Sequence, residues 1–260
     1  MKTAVITGAT GAIGTAIARQ MAEKDYRVIA VARNETKAKE VVSQIRNATG
    51  NREVDYLLID LSSEQSIREA AENWQGPVHV LINNAAVTPR SREENSEGTE
   101  MQFAVNVLGY FRMIRYFLPY LKEGAPARIV NVASYWAGGL DLDDPENRQG
   151  RYNNDHVYRT TKQADRMLSA AFAQRLQSDN ITVNAAHPGD VNSKLSNNLG
   201  YGGHESPDEG ADTPVWAATA PELEGITGKY FEHRRQSDCA YCHDEKQVER
   251  LYEICEGYSR

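Results

Sequence analysis

The chain of 260 residues lacks several features, and each absence excludes a class of protein. It contains no apolar run of 18 or more residues, which a membrane-spanning helix needs. It has no excess of positive charge, and its net charge of −7 argues against nucleic acid or an anionic membrane surface as a partner. Its apolar start is too brief for a signal peptide and runs directly into a glycine-rich turn. These absences predict a cytoplasmic protein.

Cysteine is also scarce, since the chain has three, all within its last 22 residues. Cys239, Cys242 and Cys255 therefore cannot form a disulfide framework for the whole domain. The spacing of Cys239, Cys242 and His243 matches a haem attachment pattern, which the missing secretion signal disfavours. A zinc site that adds His233 or His243 is a further alternative. The simplest interpretation is a polar tail with free thiols, and we assign no metal site.

The composition, with 40% hydrophobic and 25% charged residues, is that of an ordinary globular protein. Apolar segments typical of strands alternate with segments of helical period along the whole chain. This alternation predicts an α/β fold of the Rossmann type, a doubly wound parallel sheet with helices on both faces. We find no linker or internal repeat, so residues 1–260 are predicted to form a single domain.

Two segments of this domain stand apart. Residues 194–211 are rich in Gly, Asn, Ser and Asp and have no apolar period, which predicts a mobile lid over a substrate. A short helix is predicted at 210–220 and a last strand at 227–231, and residues 232–260 are predicted to form a C-terminal tail. Within the tail, Val248, Leu251, Ile254 and Cys255 indicate a helix that packs on the domain.

The first predicted strand, residues 2–7, runs into the turn Gly8-Ala9-Thr10-Gly11-Ala12-Ile13-Gly14. A helical period follows, so the order is strand, glycine-rich turn and helix. Glycines allow a backbone to approach a pyrophosphate closely, and the helix N-terminus supplies N–H groups and the positive end of a dipole. The turn therefore predicts a dinucleotide site, with the spacing Gly-x-x-Gly-x-x-Gly.

Arg33 directly follows the second predicted strand, residues 27–32, and lies 19 residues after Gly14. At this position an acidic residue binds the ribose hydroxyls of NAD, whereas an arginine accommodates the 2′-phosphate of NADP. The acid is absent and the arginine is present, which favours NADP(H) over NAD(H). The third predicted strand ends at Asp60, which either accepts a hydrogen bond from the adenine or caps the next helix.

Tyr158 and Lys162 stand four residues apart in a predicted helix, which places both side chains on one face, about 5–6 Å apart at Cβ. A phenol has an ordinary pKa of about 10, and a nearby ammonium lowers that pKa. Ser134, at the end of the fifth predicted strand, can orient a carbonyl or alcohol oxygen. Alone, the pair also fits a half-buried tyrosine beside a solvated lysine. Combined with the nucleotide turn, the three residues predict a site for proton transfer to such an oxygen.

Asn106 is a polar residue in an apolar stretch of the long helix predicted at 98–121. It is either a core amide with its hydrogen bonds satisfied or the holder of a water near the reacting centre.

Over almost its whole length the chain resembles the short-chain dehydrogenase/reductase family. The matching pieces, in chain order, are Thr7-Gly8 to Gly14, Asp60-Leu61, Asn83-Asn84-Ala85-Ala86, Asn106, Ser134, Tyr158 with Lys162, and Pro188-Gly189. Within the family, Ala32-Arg33-Asn34, His187-Pro188-Gly189 and residues 225–231 resemble the branch of retinol dehydrogenases, WW-domain oxidoreductases and protochlorophyllide reductases.

The resemblance implies a role for each of these residues. Tyr158 would be the general acid and base, and Lys162 would lower its pKa and bind the nicotinamide ribose. Ser134 would polarise the carbonyl, and Asn106 would hold a water. Tyr158, Lys162 and one crevice are expected to contact the cofactor, with the crevice formed by Gly8, Thr10, Gly11, Ala12, Ile13, Gly14, Arg33, Asn34, Asp60, Leu61, Asn84, Ala85, Ala86, Pro188, Gly189, Val191 and Ser193.

The expected function is the interconversion of a carbonyl and an alcohol on a small apolar substrate with NADP(H) as the preferred cofactor. NAD(H) stays an alternative cofactor. The alternative function is a non-catalytic sensor or scaffold that binds NADP(H), which the intact set of Ser134, Tyr158, Lys162 and Asn106 disfavours. The expected partner is a small molecule, with neither nucleic acid nor membrane. The resemblance allows a homodimer or a homotetramer without deciding between them.

Overall fold

Eight strands form one sheet at the centre of the computed structural model, which describes residues 1–259. In chain order the strands are β1 (Thr3–Thr7), β2 (Arg27–Ala32), β3 (Val54–Leu58), β4 (Val80–Asn83), β5 (Ala127–Val132), β6 (Ile181–Ala186), β7 (Tyr230–Glu232) and β8 (Arg235–Ser237). Their order across the sheet is β3-β2-β1-β4-β5-β6-β7-β8. The strand order reverses between β1 and β4, the place where such sheets open a ligand crevice. The doubly wound α/β prediction is confirmed.

Helices cover both faces of the sheet. In chain order they are α1 (Ala12–Glu23), α2 (Glu35–Thr49), α3 (Glu64–Glu72), α4 (Gly109–Glu123), α5 (Asn154–Leu176), α6 (Lys194–Asn198), α7 (Pro207–Thr219) and α8 (Glu245–Gly257). The long helix predicted at 98–121 contains a π-helical turn, Phe103–Leu108, directly before α4.

The strands divide their side chains between two apolar cores. Val5 of β1 belongs to the core on the side of α3, α4, α5 and α8, whereas Ala4 and Ile6 belong to the core under α1, α2 and α7. This alternation follows from the two-residue period of a strand. Because both faces are covered, the strands are apolar along their length, which made them recognisable in the sequence.

The sheet departs from the predicted parallel arrangement at one edge. The last predicted strand, 227–231, is shorter in the structure and forms β7. A further strand, β8, pairs antiparallel to it through a tight turn at His233 and Arg234, both with positive φ. Sequence reasoning missed β8 because its three residues are polar and carry no apolar pattern.

The predicted lid is more regular than its composition indicated. Ser193 begins α6 with a capping box that it shares with Ser196. Residues 207–211 belong to α7, which begins at Ser206 with a second capping box through Glu209. The helix predicted at 210–220 is confirmed but begins three residues earlier, because the capping box Ser-Pro-Asp-Glu was not used as a helix signal. Val191 and Glu205 form a bridge that joins the two ends of the connecting segment.

The prediction of free thiols is wrong for two of the three cysteines, and Cys255 keeps a free thiol. Cys239 and Cys242 pair as a disulfide, and Cys255 is fully buried in the core. In residues 1–259 no group of three or more metal-ligating side chains meets. Val248 and Leu251 bury the inner face of α8, as their spacing predicted.

Within the same residues, no helix has the combined length and apolar character that crossing a bilayer requires.

Candidate active site

The turn after β1 is built around glycines that have no room for a side chain. Gly8 has a φ of +66°, and a Cβ there would lie 2.7 Å from the Cα of Ala85. A Cβ on Gly14 would lie 2.2 Å from the carbonyl oxygen of Gly8. This close packing brings the N-terminus of α1 to the end of β1, where its N–H groups can meet an anion.

A groove of about 590 Å³ extends from this turn along the carboxyl ends of the strands. Most of the predicted cofactor residues line it, namely Gly8, Thr10, Gly11, Ala12, Ile13, Gly14, Arg33, Asp60, Leu61, Asn84, Ala85, Ala86 and Ser193. Its volume is within the usual range for a cofactor site. The glycine floor, a helix N-terminus and an arginine form a donor set that suits a phosphate-bearing nucleotide, so the residues fit the cofactor expected from the sequence.

Arg33 and Asp60 occupy different positions in this groove. Arg33 is exposed and makes no ion pair with any residue in 1–259. Asp60 accepts hydrogen bonds from the backbone N–H of Ser62, at 2.9 Å, and from its hydroxyl, at 2.7 Å. Asn34 lies outside the groove and caps α2 by accepting a hydrogen bond from the Lys37 N–H at 2.9 Å. Its predicted cofactor contact therefore has no support in this arrangement.

A second cavity, of about 250 Å³, contains the predicted catalytic hydroxyls. Ser134 follows the end of β5 and Tyr158 lies in the second turn of α5, and both line this cavity although each is less than 10% exposed. Pro188, Gly189 and Val191 line it too, so these predicted cofactor residues lie here rather than in the groove. The two spaces share a wall, which consists of Ile13, Ser193 and Leu195.

Lys162 lies beneath this cavity and is 1% exposed. Its Nζ donates to the carbonyl oxygen of Val132 and to Oδ2 of Asp165, each at 2.9 Å. The same atom is 5.8 Å from the centre of the Tyr158 ring. The structure therefore confirms the shared helix face and adds a carboxylate partner that was not predicted.

The pKa of Tyr158 differs from the sequence expectation. Burial raises the pKa of its hydroxyl well above the usual 10, and the Asp165 carboxylate adds to the rise. The hydrogen bond with Ser134 opposes both effects. The lowering expected from Lys162 is not found, because the ammonium is paired with Asp165.

Asn106 has its side chain fully engaged. Its Oδ1 accepts from the Val87 N–H at 2.9 Å, and its Nδ2 donates to the Val87 carbonyl and to the Thr161 hydroxyl. It lies in the π-helical turn and is fully buried. Of the two alternatives, the satisfied core amide matches this geometry. The water-holding role stays a prediction and would have to use the backbone.

Sequence reasoning missed three features of the cavity. Arg166 donates to the carbonyl oxygen of Ser134 and stacks on the Tyr230 ring at 3.5 Å, which holds the serine in place. His187 lines the cavity and is 5% exposed. Trp136 meets Tyr201 of the lid at 4.1 Å between ring centres. None of these contacts has a local signal, because each joins residues more than 20 positions apart or depends on burial.

Asp165 is different, because its spacing of three residues from Lys162 on a predicted helix was visible in the sequence. The burial of Asp165 was the feature that the sequence did not indicate.

Comparison with known proteins agrees with this geometry. The family model for short chain dehydrogenases matches residues 2–202. Polyprenol dehydrogenase of Mus musculus is 35% identical, over 91% of this chain and 77% of the relative. Retinol dehydrogenase 13 of Homo sapiens is 34% identical, over 96% of this chain and 82% of the relative.

A solved structure extends the comparison to the fold. A protein from Beutenbergia cavernae with bound NADP is 25% identical and superimposes with a TM-score of 0.73, over 89% of this chain and 94% of that one. The family match over residues 2–202 includes the nucleotide groove, the serine and the Tyr-x-x-x-Lys helix described above. The chain is therefore an oxidoreductase of the short-chain dehydrogenase/reductase family, in the branch similar to the retinol and polyprenol dehydrogenases.

Proposed function

We propose that the protein interconverts a carbonyl and an alcohol with NADP(H) as its preferred cofactor. The observation that carries this proposal is the shared wall of Ile13, Ser193 and Leu195 between the nucleotide groove and the cavity that contains Ser134 and Tyr158. A substrate oxygen between those two hydroxyls would lie beside the groove. The cofactor, when bound, supplies or accepts the hydride.

The side chains supply the proton transfer and the orientation. Tyr158 gives its phenolic proton to the carbonyl oxygen during reduction and takes a proton back during alcohol oxidation. Ser134 donates a hydrogen bond to the same oxygen and orients it, while its own position is held by Arg166. Lys162 lies below the phenol and can donate to a ribose hydroxyl. The raised pKa of Tyr158 keeps its proton available for reduction at neutral pH.

The preference for NADP(H) is supported by Arg33, whose guanidinium lines the groove without an ion-pair partner among residues 1–259. Such a group can bind a 2′-phosphate, and no carboxylate stands at the same strand end to bind the two ribose hydroxyls of NAD.

The substrate we propose is small and apolar. The cavity of about 250 Å³ lies below the usual range for drug-sized ligands, and its walls include Trp136, Leu195, Leu199 and Tyr201. The relatives are named for apolar alcohols, retinol and polyprenol, which agrees with the character of these walls. A cytoplasmic location stays a prediction from the sequence.

The test is the oxidation of NADPH and of NADH, followed by absorbance, over a panel of aldehydes and ketones of graded size. Wild type should reduce small apolar members and prefer NADPH.

Tyr158→Phe should lose about 10²–10⁴-fold in kcat/KM, the usual contribution of a general acid, and should still bind NADPH in a fluorescence titration. Tyr26→Phe, just before the amino end of β2 and away from the carboxyl ends of the strands, is the control and should match wild type. Retained turnover in Tyr158→Phe would overturn the assignment, and a wild type inactive on the whole panel would favour the sensor alternative.

A further inference from the structure

Lys162 and Asp165 form a buried ion pair that the mechanism above does not use. They lie three residues apart on α5, with side chains 2% and 0% exposed, and their Nζ and Oδ2 atoms are 2.9 Å apart. The second carboxylate oxygen of Asp165 is buried with no hydrogen-bond partner among the described residues. A charged pair without solvent and with one free oxygen is costly to bury, so a merely structural role would be better served by an apolar pair.

The ionisable groups around this pair are neutral near physiological pH. Tyr110 of α4 lies 5.1 Å from the Lys162 Nζ at its ring centre, Cys255 of α8 faces Asp165, and Tyr230 of β7 faces Tyr158. Burial raises the pKa of all three, so none carries a charge below pH 10. Arg166, the next residue of α5, turns away to Tyr230 and Glu232.

Asp165 is therefore the one charged partner of Lys162 within salt-bridge distance in residues 1–259. The electrostatic effect of the lysine on Tyr158 depends on whether this carboxylate is present.

We propose that Asp165 is a positioning residue that holds the Lys162 ammonium and offsets its charge, so that Tyr158 stays a protonated phenol in the range where carbonyl reduction operates. The inference rests on the proposed function, since it concerns the proton that Tyr158 would give to the substrate. With Asp165 in place, carbonyl reduction at neutral pH would be faster than without its charge. Alcohol oxidation, which needs the phenolate, would begin only at a higher pH.

The direction of two pKa shifts agrees with this role. Burial raises the pKa of Asp165 to about 7, with Lys162 opposing the rise, so the carboxylate is ionised above neutrality, where a phenol titrates. Its charge then adds to the effect of burial in raising the pKa of Tyr158. Without the carboxylate, the ammonium would act on Tyr158 unopposed and would favour the phenolate.

The test is the dependence of kcat on pH in both directions, for wild type and for Asp165→Asn. The amide has the same shape and keeps an oxygen for Lys162, but it has no charge. We expect the falling limb of reduction and the rising limb of oxidation to move together to lower pH, by about one unit or more. Asp165→Glu keeps the charge and should retain the wild-type midpoints. Asp165→Ser, a second neutral variant, should shift in the same direction as Asp165→Asn.

Ser169→Ala is the matched control, because the Ser169 hydroxyl donates to the Asp165 backbone carbonyl at 2.7 Å and carries no charge. It can lower stability but should leave both midpoints unchanged. Unshifted midpoints in a folded neutral variant would overturn the inference, as would loss of folding in both neutral variants, which would make Asp165 a residue of the fold alone. A wild type without turnover would instead contradict the proposed function itself.

Discussion

His187 shows how burial decides the chemistry of a single side chain in this cavity. It is 5% exposed, and its ring packs edge-on against Tyr135 at 4.7 Å between centres. Burial, together with the nearby charges of His233 and Arg166, lowers its pKa to about 3. The imidazole is therefore neutral at physiological pH and presents no charge to the cavity that it lines.

This lowered pKa predicts a specific loss of stability in acid. The unfolded histidine has a pKa of about 6.5, so below that pH the unfolded chain takes up a proton that the folded chain does not. The contribution to stability is complete above pH 6.5 and is lost towards pH 3, at about 1.4 kcal/mol per unit. Between pH 6.5 and pH 5, His187→Gln should lose about 2 kcal/mol less of its unfolding free energy than wild type.

Urea unfolding at the two pH values measures this difference. His156→Gln, at an exposed histidine, is the control and should lose as much as wild type. Equal losses in wild type and His187→Gln would contradict a depressed pKa at this position.

At the scale of elements, two glycines in the turn between β1 and α1 have different structural roles. Gly14 lies within α1 against the carbonyl oxygen of Gly8, whereas a Cβ on Gly11 would have that oxygen as its nearest neighbour at 3.3 Å. Both residues line the nucleotide groove. Gly14 is therefore needed for packing of the helix on the turn, and Gly11 for the approach of a ligand.

Alanine at each position should have different effects. Gly14→Ala gains about 1 kcal/mol of helix propensity, but the clash outweighs it, and we expect a net loss of about 2 kcal/mol or more. Gly11→Ala should lower the free energy of unfolding by less than about 1 kcal/mol. It should weaken the binding free energy of NADPH by about 1 kcal/mol or more. Thermal unfolding of the free protein and fluorescence titration with NADPH measure the two effects. Equal stability of the two variants would show that the close contact at Gly14 does not constrain the turn.

At the scale of the whole molecule, α8 covers the face formed by α4 and α5. Tyr252 packs between Phe111 of α4 and Phe172 of α5, at 5.1 and 5.3 Å between ring centres. Arg112, 1% exposed, donates to the Tyr258 carbonyl at 2.7 Å and ties the end of α8 to α4. The apolar surface of α4 and α5 beneath α8 is therefore covered from within the chain.

We accordingly expect a monomer in light scattering after size exclusion, and self-association when α8 is displaced. Leu251→Asp places a charge at a fully buried position of α8 and should release the helix, which exposes Phe111 and Phe172. Glu253→Asp, on the exposed side of α8, is the control and should stay monomeric. A dimeric wild type would contradict this role of α8. So would a Leu251→Asp variant that stays monomeric and is as stable to unfolding as wild type.

Local spacing predicted most of the fold and the principal site residues. Apolar runs indicated β1 to β7, the glycine spacing indicated the nucleotide turn, and four residues of separation placed Tyr158 and Lys162 on one face. The short polar strand β8 and the short helix α6 inside the predicted lid were missed, because neither has an apolar period. The helix predicted at 210–220 was found, but its first turn was missed because a capping box was overlooked.

The sequence by itself determined the family, the order of the elements and the side chains that meet at the strand ends, because period, turns and i to i+4 spacing are properties of neighbours in the chain. Only the tertiary structure decided which charges are buried and what they face. The contact of Arg166 with Ser134, the neutral state of His187 and the docking of α8 depend on distant segments and on exclusion of water. Desolvation arises from the packed whole, and so the pKa of Tyr158 could not be inferred from Lys162 alone.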